Sequence, residues 1–233
     1  MMTSSSPQIL LVDDSATIRQ AIGNRLRTMG CEVHSVSDGA TALAAIQSQA
    51  YGLVLLDCYL PDMFGHEVAQ QVRELESATP QRPYTPLIGI SAETDPAHVR
   101  LCLEQGMDGM LGKPLQSDAL RKMLALWCDH ESPATHAQAS SGELAAGEDL
   151  QQLFLRTSQH DLQALRAAHA SVDLAVMGQL VHRMKGAALT MQRAEIVALL
   201  ECVEEALRAG EGGLDSIPLL LVSLGRILDV QGN

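Results

Sequence analysis

The sequence predicts an α/β domain, a (βα)5 doubly wound parallel sheet, followed by an all-α antiparallel four-helix bundle. Two observations carry this expectation. Up to about residue 128, short β-rich runs alternate with longer amphipathic stretches, whereas no strand-like run occurs beyond about residue 149. The strands are continuously apolar, as in Ile9-Leu10-Leu11-Val12 and Leu53-Val54-Leu55-Leu56, which fits a parallel sheet covered by helices on both faces.

The first strand is expected at 8–12. A helix follows in which Ile18, Ile22, Leu26 and Met29 recur at helical spacing, with Gly30 as its stop. Ile18 and Ala21 are read either as an apolar docking patch or as core. Further strands are expected at 32–36, 52–56, 87–90 and 107–111, with helices near 39–49, 65–77, 96–105 and 117–128. Residues 129–147 are small and polar with no apolar period and read as a linker between domains at 7–128 and 148–231. As a flexible coil of about 19 residues it spans roughly 22 to 26 Å. The bundle helices are expected near 149–168, 173–190, 192–209 and 215–230, broken at Ser171, at Gln192 and at 210–213.

A chain of 233 residues, 46% hydrophobic and 19% charged, is neither disordered nor collagen-like and can bury two small cores. Two Phe, three Tyr and one Trp leave those cores to Leu, Val, Ile, Ala and Met. The net charge of -12 is shared, with nine basic against fourteen acidic side chains up to Cys128 and seven against fourteen after it. Both halves repel phosphate backbones and anionic lipid, so neither direct nucleic-acid binding nor membrane contact is expected. Cys31, Cys58, Cys102, Cys128 and Cys202 are odd in number and include no CxxC pair. That argues against a disulfide framework and against a zinc site, and for a reducing cytoplasm. With no leader pattern and no run of about 18 apolar residues, a soluble cytoplasmic protein, neither exported nor anchored, is expected.

Asp13 and Asp14 follow the first strand and Asp57 ends the third, so neighbouring strands one and three would bring three carboxylates to one strand-end pocket. At 4 Å and an effective dielectric near 20, each like-charge pair costs on the order of 4 kcal/mol, and a proton or a hard cation must be recruited. A small set of oxygen ligands suits Mg²⁺. Ser91 and Lys113 stand at the ends of the fourth and fifth strands, adding a hydroxyl and an ammonium. This combination suits phosphoryl transfer, with Asp57 as nucleophile and Lys113 and Ser91 facing the equatorial oxygens. The Lys113–Pro114 bond is a candidate cis peptide.

These residues resemble a known family. Val-Asp-Asp-Ser, Leu-Leu-Asp-Cys-Tyr-Leu-Pro-Asp-Met-Phe-Gly, Ile-Ser-Ala and Gly-Lys-Pro-Leu look like the four separated motifs of the receiver domain of two-component response regulators, whose fold is flavodoxin-like. The resemblance implies that Asp57 is the phosphoacceptor and that Asp14, Asp57 and the Tyr59 backbone carbonyl bind Mg²⁺. It implies that Asp13 supports the site, that Ser91 and Lys113 contact the phosphoryl group, and that Gly65 takes the family's loop-glycine place. Met110 departs from the pattern, because the family usually carries Tyr or Phe three residues before the lysine as a phosphorylation-dependent switch.

In the second half, Gly186 lies inside an expected helix, where glycine costs roughly 1 kcal/mol against alanine. It sits four residues after His182 on the same face, leaving that face clear, and Lys185 places a cation beside the imidazole. Neutral imidazole is a competent nucleophile at cytoplasmic pH without an activating base. The other seven histidines, His98 among them, read as ordinary surface residues. The segment 148–231 resembles the histidine phosphotransfer (HPt) domain, with His-x-x-Lys-Gly at 182–186 and flanking matches at Leu153, Phe154, Asp161, Leu162, Leu165 and Asp173. The resemblance implies that His182 is phosphorylated, with Lys185 and Gly186 shaping its surroundings.

The expected function is a phosphorelay intermediate. Asp57 accepts a phosphoryl group from a sensor histidine kinase, and His182 carries one to or from the aspartate of a downstream response regulator. Two alternatives are the carboxyl-terminal part of a longer hybrid sensor kinase and a phosphorylation-independent interaction module. A haloacid-dehalogenase-type phosphatase would need Asp-x-Asp at the first strand end, and no Gly-x-x-x-x-Gly-Lys-Ser/Thr loop is present for ATP.

Overall fold

The computed structural model describes residues 6–79, 81–92, 95–128, 142–209 and 211–231, and these belong to two compact units. The first is flavodoxin-like. In chain order it contains β1 (Gln8–Val12), α1 (Ala16–Thr28), β2 (Glu32–Val36), α2 (Gly39–Ser48), β3 (Leu53–Asp57), α3 (Gly65–Ala78), β4 (Leu87–Ser91), α4 (Pro96–Glu104), β5 (Gly109–Gly112) and α5 (Ser117–Cys128). All four strand pairs are parallel, in the order β2-β1-β3-β4-β5. β1 and β3 are therefore neighbours, with Val12 opposite Leu56.

Successive strand residues point to opposite faces, and both faces are buried. Leu10, Val12, Val54 and Leu56 pack with Ala42, Ile46, Val68 and Val72, while Ile9, Leu11, Leu53 and Leu55 pack with Ile18, Ile22, Leu26, Leu120 and Leu124. Each fully buried aliphatic side chain contributes about 1.5 to 3 kcal/mol. Of the two residues read as patch or core, Ile18 packs in this core.

The fifth strand begins at Gly109, later than the apolar run at 107 implied. Gly106 at φ 103 ends α4 in a left-handed cap, with Gly106 N–H donating to Leu103 O at 3.0 Å and Met107 N–H to Cys102 O at 3.1 Å. This pairing satisfies the last helix carbonyls and commits Met107 to the cap and the core. Gly30 ends α1 in the same way at φ 86.

Arg73 on α3 ties together segments distant in sequence. Its guanidinium donates to Asp108 at 2.8 Å, to Glu76 at 2.8 Å and to the carbonyls of Gly106 and Thr85, while lying 4.2 Å from the Tyr84 ring centroid. Asp108 Oδ2 also accepts from Leu87 N–H at 2.7 Å, holding the start of β4.

The second unit is helical, with α6 (Gly142–Ala170), α7 (Leu174–Thr190), α8 (Ala194–Arg208), a short α9 (Glu211–Leu214) and α10 (Ile217–Gln231). The helix expected from 149 starts at Gly142, so the coil reading fails for residues 142–147, where Glu143-Leu144-Ala145-Ala146 is a strong helix former. Residues 129–141 of the expected linker lie outside the described residues. Phe154, Leu165, Met177, Val181, Leu200, Leu224 and Leu228 form part of one core.

Helices α6 and α7 both stop at non-glycine residues in the left-handed region, Val172 at φ 56 and Gln192 at φ 55. Val172 N–H donates to His169 O at 3.1 Å and Asp173 N–H to Ala168 O at 2.9 Å, and the same pattern recurs with Gln192 and Arg193 on Leu189 and Ala188. Asp173 then opens α7 by accepting from Val176 N–H at 3.1 Å. The two tight connections require neighbouring helices to run antiparallel.

Candidate functional site: a carboxylate cluster and a helix histidine

The parallel register of β1 and β3 brings Asp13 and Asp14, just beyond β1, to Asp57 at the end of β3. One carboxylate oxygen from each lies within 4.8 Å of the others. Lys113, just beyond β5, reaches the same point, with Nζ donating to Asp57 Oδ2 at 2.7 Å and to Asp13 Oδ2 at 2.9 Å. Its backbone N–H donates to Ser91 O at 2.8 Å, which places the end of β4 beside it. The Lys113–Pro114 peptide is cis. The side chains of Lys113 and Asp57 are each 1% exposed and that of Asp13 0%, and Ser91 is also buried.

One ammonium cannot balance three carboxylates. Burial pushes the Asp13 carboxyl up to about 8; Lys113 pulls it down, while Asp57 and Asp14 add to the rise. Burial alone disfavours the Lys113 ammonium, but Asp13 and Asp57 outweigh this and hold it above the ordinary lysine range. The surplus negative charge, carried entirely on oxygen, fits a hard divalent cation.

The loop after β3 is held by bonds from its backbone N–H groups. Tyr59 N–H donates to Asp57 Oδ1 at 3.3 Å, Tyr59 bridges to Phe64, and Gly65 N–H donates to Cys58 O at 2.9 Å. A Cβ at Gly65 would collide with the Asp57 carbonyl oxygen and lie 3.0 Å from Cys58 Cα. Glycine at this position therefore lets α3 start against the end of β3.

Met110 stands apart from the cluster. It lies opposite Gly89 in the β4–β5 register, and a Cβ on Gly89 would strike its Sδ. The thioether occupies the space that a side chain at 89 would fill, half-buried beside the core.

In the helical unit, His182, Lys185 and Gly186 lie on α7, all buried. Lys185 is not an unengaged cation beside the imidazole, because its Nζ donates to Glu204 Oε2 on α8 at 2.6 Å. Arg183 forms a two-point pair with Asp161 of α6, at 2.6 and 3.1 Å. Sequence reasoning marked Asp161 but missed both pairings, which depend on the facing of three helices. His182 itself is 7% exposed.

The sequence matches the response regulator receiver domain over residues 9–125. The chain belongs to the receiver family. Its second unit matches the Hpt domain over residues 149–225, and a receiver followed by an Hpt domain is a phosphorelay module. Among curated relatives, it is 27% identical to the sensor protein GacS of Pseudomonas syringae pv. syringae over 208 residues, 80% of this chain and 23% of that one. It is 30% identical to the sensor histidine kinase AruS of Pseudomonas aeruginosa over 224 residues, 91% of this chain and 22% of that one. With the virulence sensor protein BvgS of Bordetella pertussis it shares 26% identity over 260 aligned positions, 98% of this chain and 21% of that one. The chain thus spans less than a quarter of the length of each of these relatives.

Among solved structures, the receiver domain of sensor histidine kinase PA1611 from Pseudomonas aeruginosa PAO1, determined with a magnesium ion in its active-site cleft, is 30% identical. It covers 54% of this chain and 99% of that one, with a TM-score of 0.49. The Saccharomyces cerevisiae complex of Ypd1 with the Ssk1 receiver domain gives a TM-score of 0.51 at 21% identity, covering 56% of this chain and 94% of that one. No helix among the described residues is long and apolar enough to cross a membrane.

Proposed function

We propose that Asp57 is the phosphoacceptor of the receiver and His182 the phosphorylated residue of the Hpt domain. The supporting observation is Lys113 Nζ held between Asp57 and Asp13 at 2.7 and 2.9 Å inside an otherwise oxygen-only cluster. An Asp57 carboxylate oxygen attacks the phosphorus of a sensor kinase's phosphohistidine, the P–N bond breaks, and the imidazole leaves with a proton taken up from solvent. Lys113 and Ser91 face the equatorial oxygens, and Asp13 orients Lys113. Asp14, Asp57 and the Tyr59 carbonyl would hold Mg²⁺, which supplies positive charge against the phosphoryl oxygens.

At His182 an imidazole nitrogen attacks the phosphorus of a receiver's aspartyl phosphate, the P–O bond breaks, the carboxylate leaves, and the imidazole releases a proton to solvent. The downstream partner is a response regulator, and the phosphoryl group remains with proteins throughout. The module consumes no ATP itself, and we place it in the cytoplasm, where phosphohistidine donors are made from ATP. The short share of the sensor-kinase relatives that the chain spans supports a second reading, in which it is the carboxyl-terminal part of a hybrid sensor kinase.

The test is transfer from a phosphorylated kinase in Mg²⁺. Asp57→Asn is expected to abolish receiver labelling. His182→Gln is expected to leave that labelling intact and stop exchange with a response regulator; exchange at the wild-type rate removes His182 from the relay.

A further inference from the structure

A second group of ligating atoms lies one residue from Asp57. Cys58 follows β3 directly, while His98 and Cys102 lie four apart on α4 and so share one helix face. One donor atom from each of the three falls within 4.8 Å of the others, with Cys102 Sγ 3.8 Å from His98 Nε2. Cys58 and Cys102 are 1% and 0% exposed, both as free thiols, and His98 is half-buried. Its ring stacks on Tyr59, centroids 5.7 Å apart and planes 7° from parallel, which holds the imidazole over the segment carrying Cys58.

We propose that Cys58, His98 and Cys102 form a binding site for a soft divalent cation, Zn²⁺, distinct from the carboxylate cluster. Two sulfurs and one imidazole nitrogen are the donor types that zinc takes and that Mg²⁺ does not. Zn²⁺ displaces the two thiol protons, and the half-buried edge at His98 leaves a fourth position for water. Sequence spacing argued against zinc because it showed no CxxC. The site is instead assembled from an i, i+4 His/Cys pair on α4 and a third ligand delivered by the end of β3. Occupancy links α4 to the end of β3, where Asp57 stands, and to the loop that carries Tyr59.

The test is titration of the metal-free full chain with Zn²⁺ under reducing conditions, with Co²⁺ as a spectroscopic probe. One Zn²⁺ per chain is expected, together with a thiolate-to-cobalt charge-transfer band. His98→Ala and Cys102→Ser are each expected to weaken binding by more than about 100-fold, beyond the loss of a merely supporting residue. Cys202→Ser and Asp57→Asn are expected to leave it unchanged. His98→Ala alters a half-buried side chain and keeps the test available should the core cysteine variants fail to fold. Absence of the charge-transfer band, binding that survives His98→Ala and Cys102→Ser, or binding lost in Asp57→Asn overturns the proposal.

Discussion

Lys113 shows how much one side chain can decide. Its ammonium is the positive group bonded to both Asp57 and Asp13, so Lys113→Ala leaves buried carboxylates without their hydrogen-bonded cation. Labelling of Asp57 is expected to fall at least about 100-fold, as for other losses of a transition-state charge partner. Lys113→Arg should not restore it, since a planar fork cannot replace a point charge in so small a space. Labelling rates of the two variants check this. Gly65→Ala puts a methyl group into the Asp57 backbone, and should cost about 1 to 3 kcal/mol in denaturant titrations and slow labelling as well. The acids and the lysine were legible in sequence because parallel strands deliver their carboxyl ends to one edge. The cavity that Met110 fills over Gly89, and the Glu204 partner of Lys185, were not, because each depends on which faces of two elements meet.

At the scale of elements, the helix stops carry testable energy. Val172 is 61% exposed and sits at φ 56, a conformation that costs a β-branched residue about 1 kcal/mol or more. Val172→Gly is therefore expected to raise the stability of the helical unit by several tenths to about 1 kcal/mol, seen as a higher Tm. An unchanged or lower Tm argues against the cap. Sequence placed a break near Ser171 but could not show the turn, because the residue in the left-handed position is a valine where glycine is the usual sign. Asp38 caps α2 by accepting from Thr41 N–H at 2.8 Å. Hydrogen bonds from the Thr41 side chain and then from its backbone N–H lower the Asp38 pKa, so its stabilisation is full above the ordinary aspartate range and is lost as pH falls through the depressed value. Asp38→Ala should cost about 1 kcal/mol at neutral pH and narrow that acid-side slope in melts across pH 2 to 6. Arg73→Lys keeps a charge but loses the fork onto Asp108, Glu76 and two carbonyls, and is expected to cost about 2 kcal/mol.

At the scale of the whole molecule, the chain is two units, each with its own core, and the order of elements was legible except for the short α9, which stands where a break was expected at 210–213 because two glycines lie within it. Continuous apolar runs mark strands buried on both faces, and 3.6-residue periodicity marks the bundle. Where sequence erred, at the start of α6, helix-forming residues stood in a stretch judged by its polarity. Acidity common to both halves leaves cations scarce. Of three lysines in the chain, Lys113 and Lys185 stand at the two proposed sites. An account in which the chain's output is a phosphoryl group predicts two chemically different labels. An aspartyl phosphate is lost in alkali, whereas a phosphohistidine survives alkali and is lost in acid. The decisive measurement is the alkali stability of the label on each single variant in Mg²⁺. His182→Gln, given a phosphorylated kinase, should carry only alkali-labile label, and Asp57→Asn, given a phosphorylated response regulator, only alkali-stable label. Alkali-labile label on Asp57→Asn, or any label on the double variant, would contradict the assignment of the two sites.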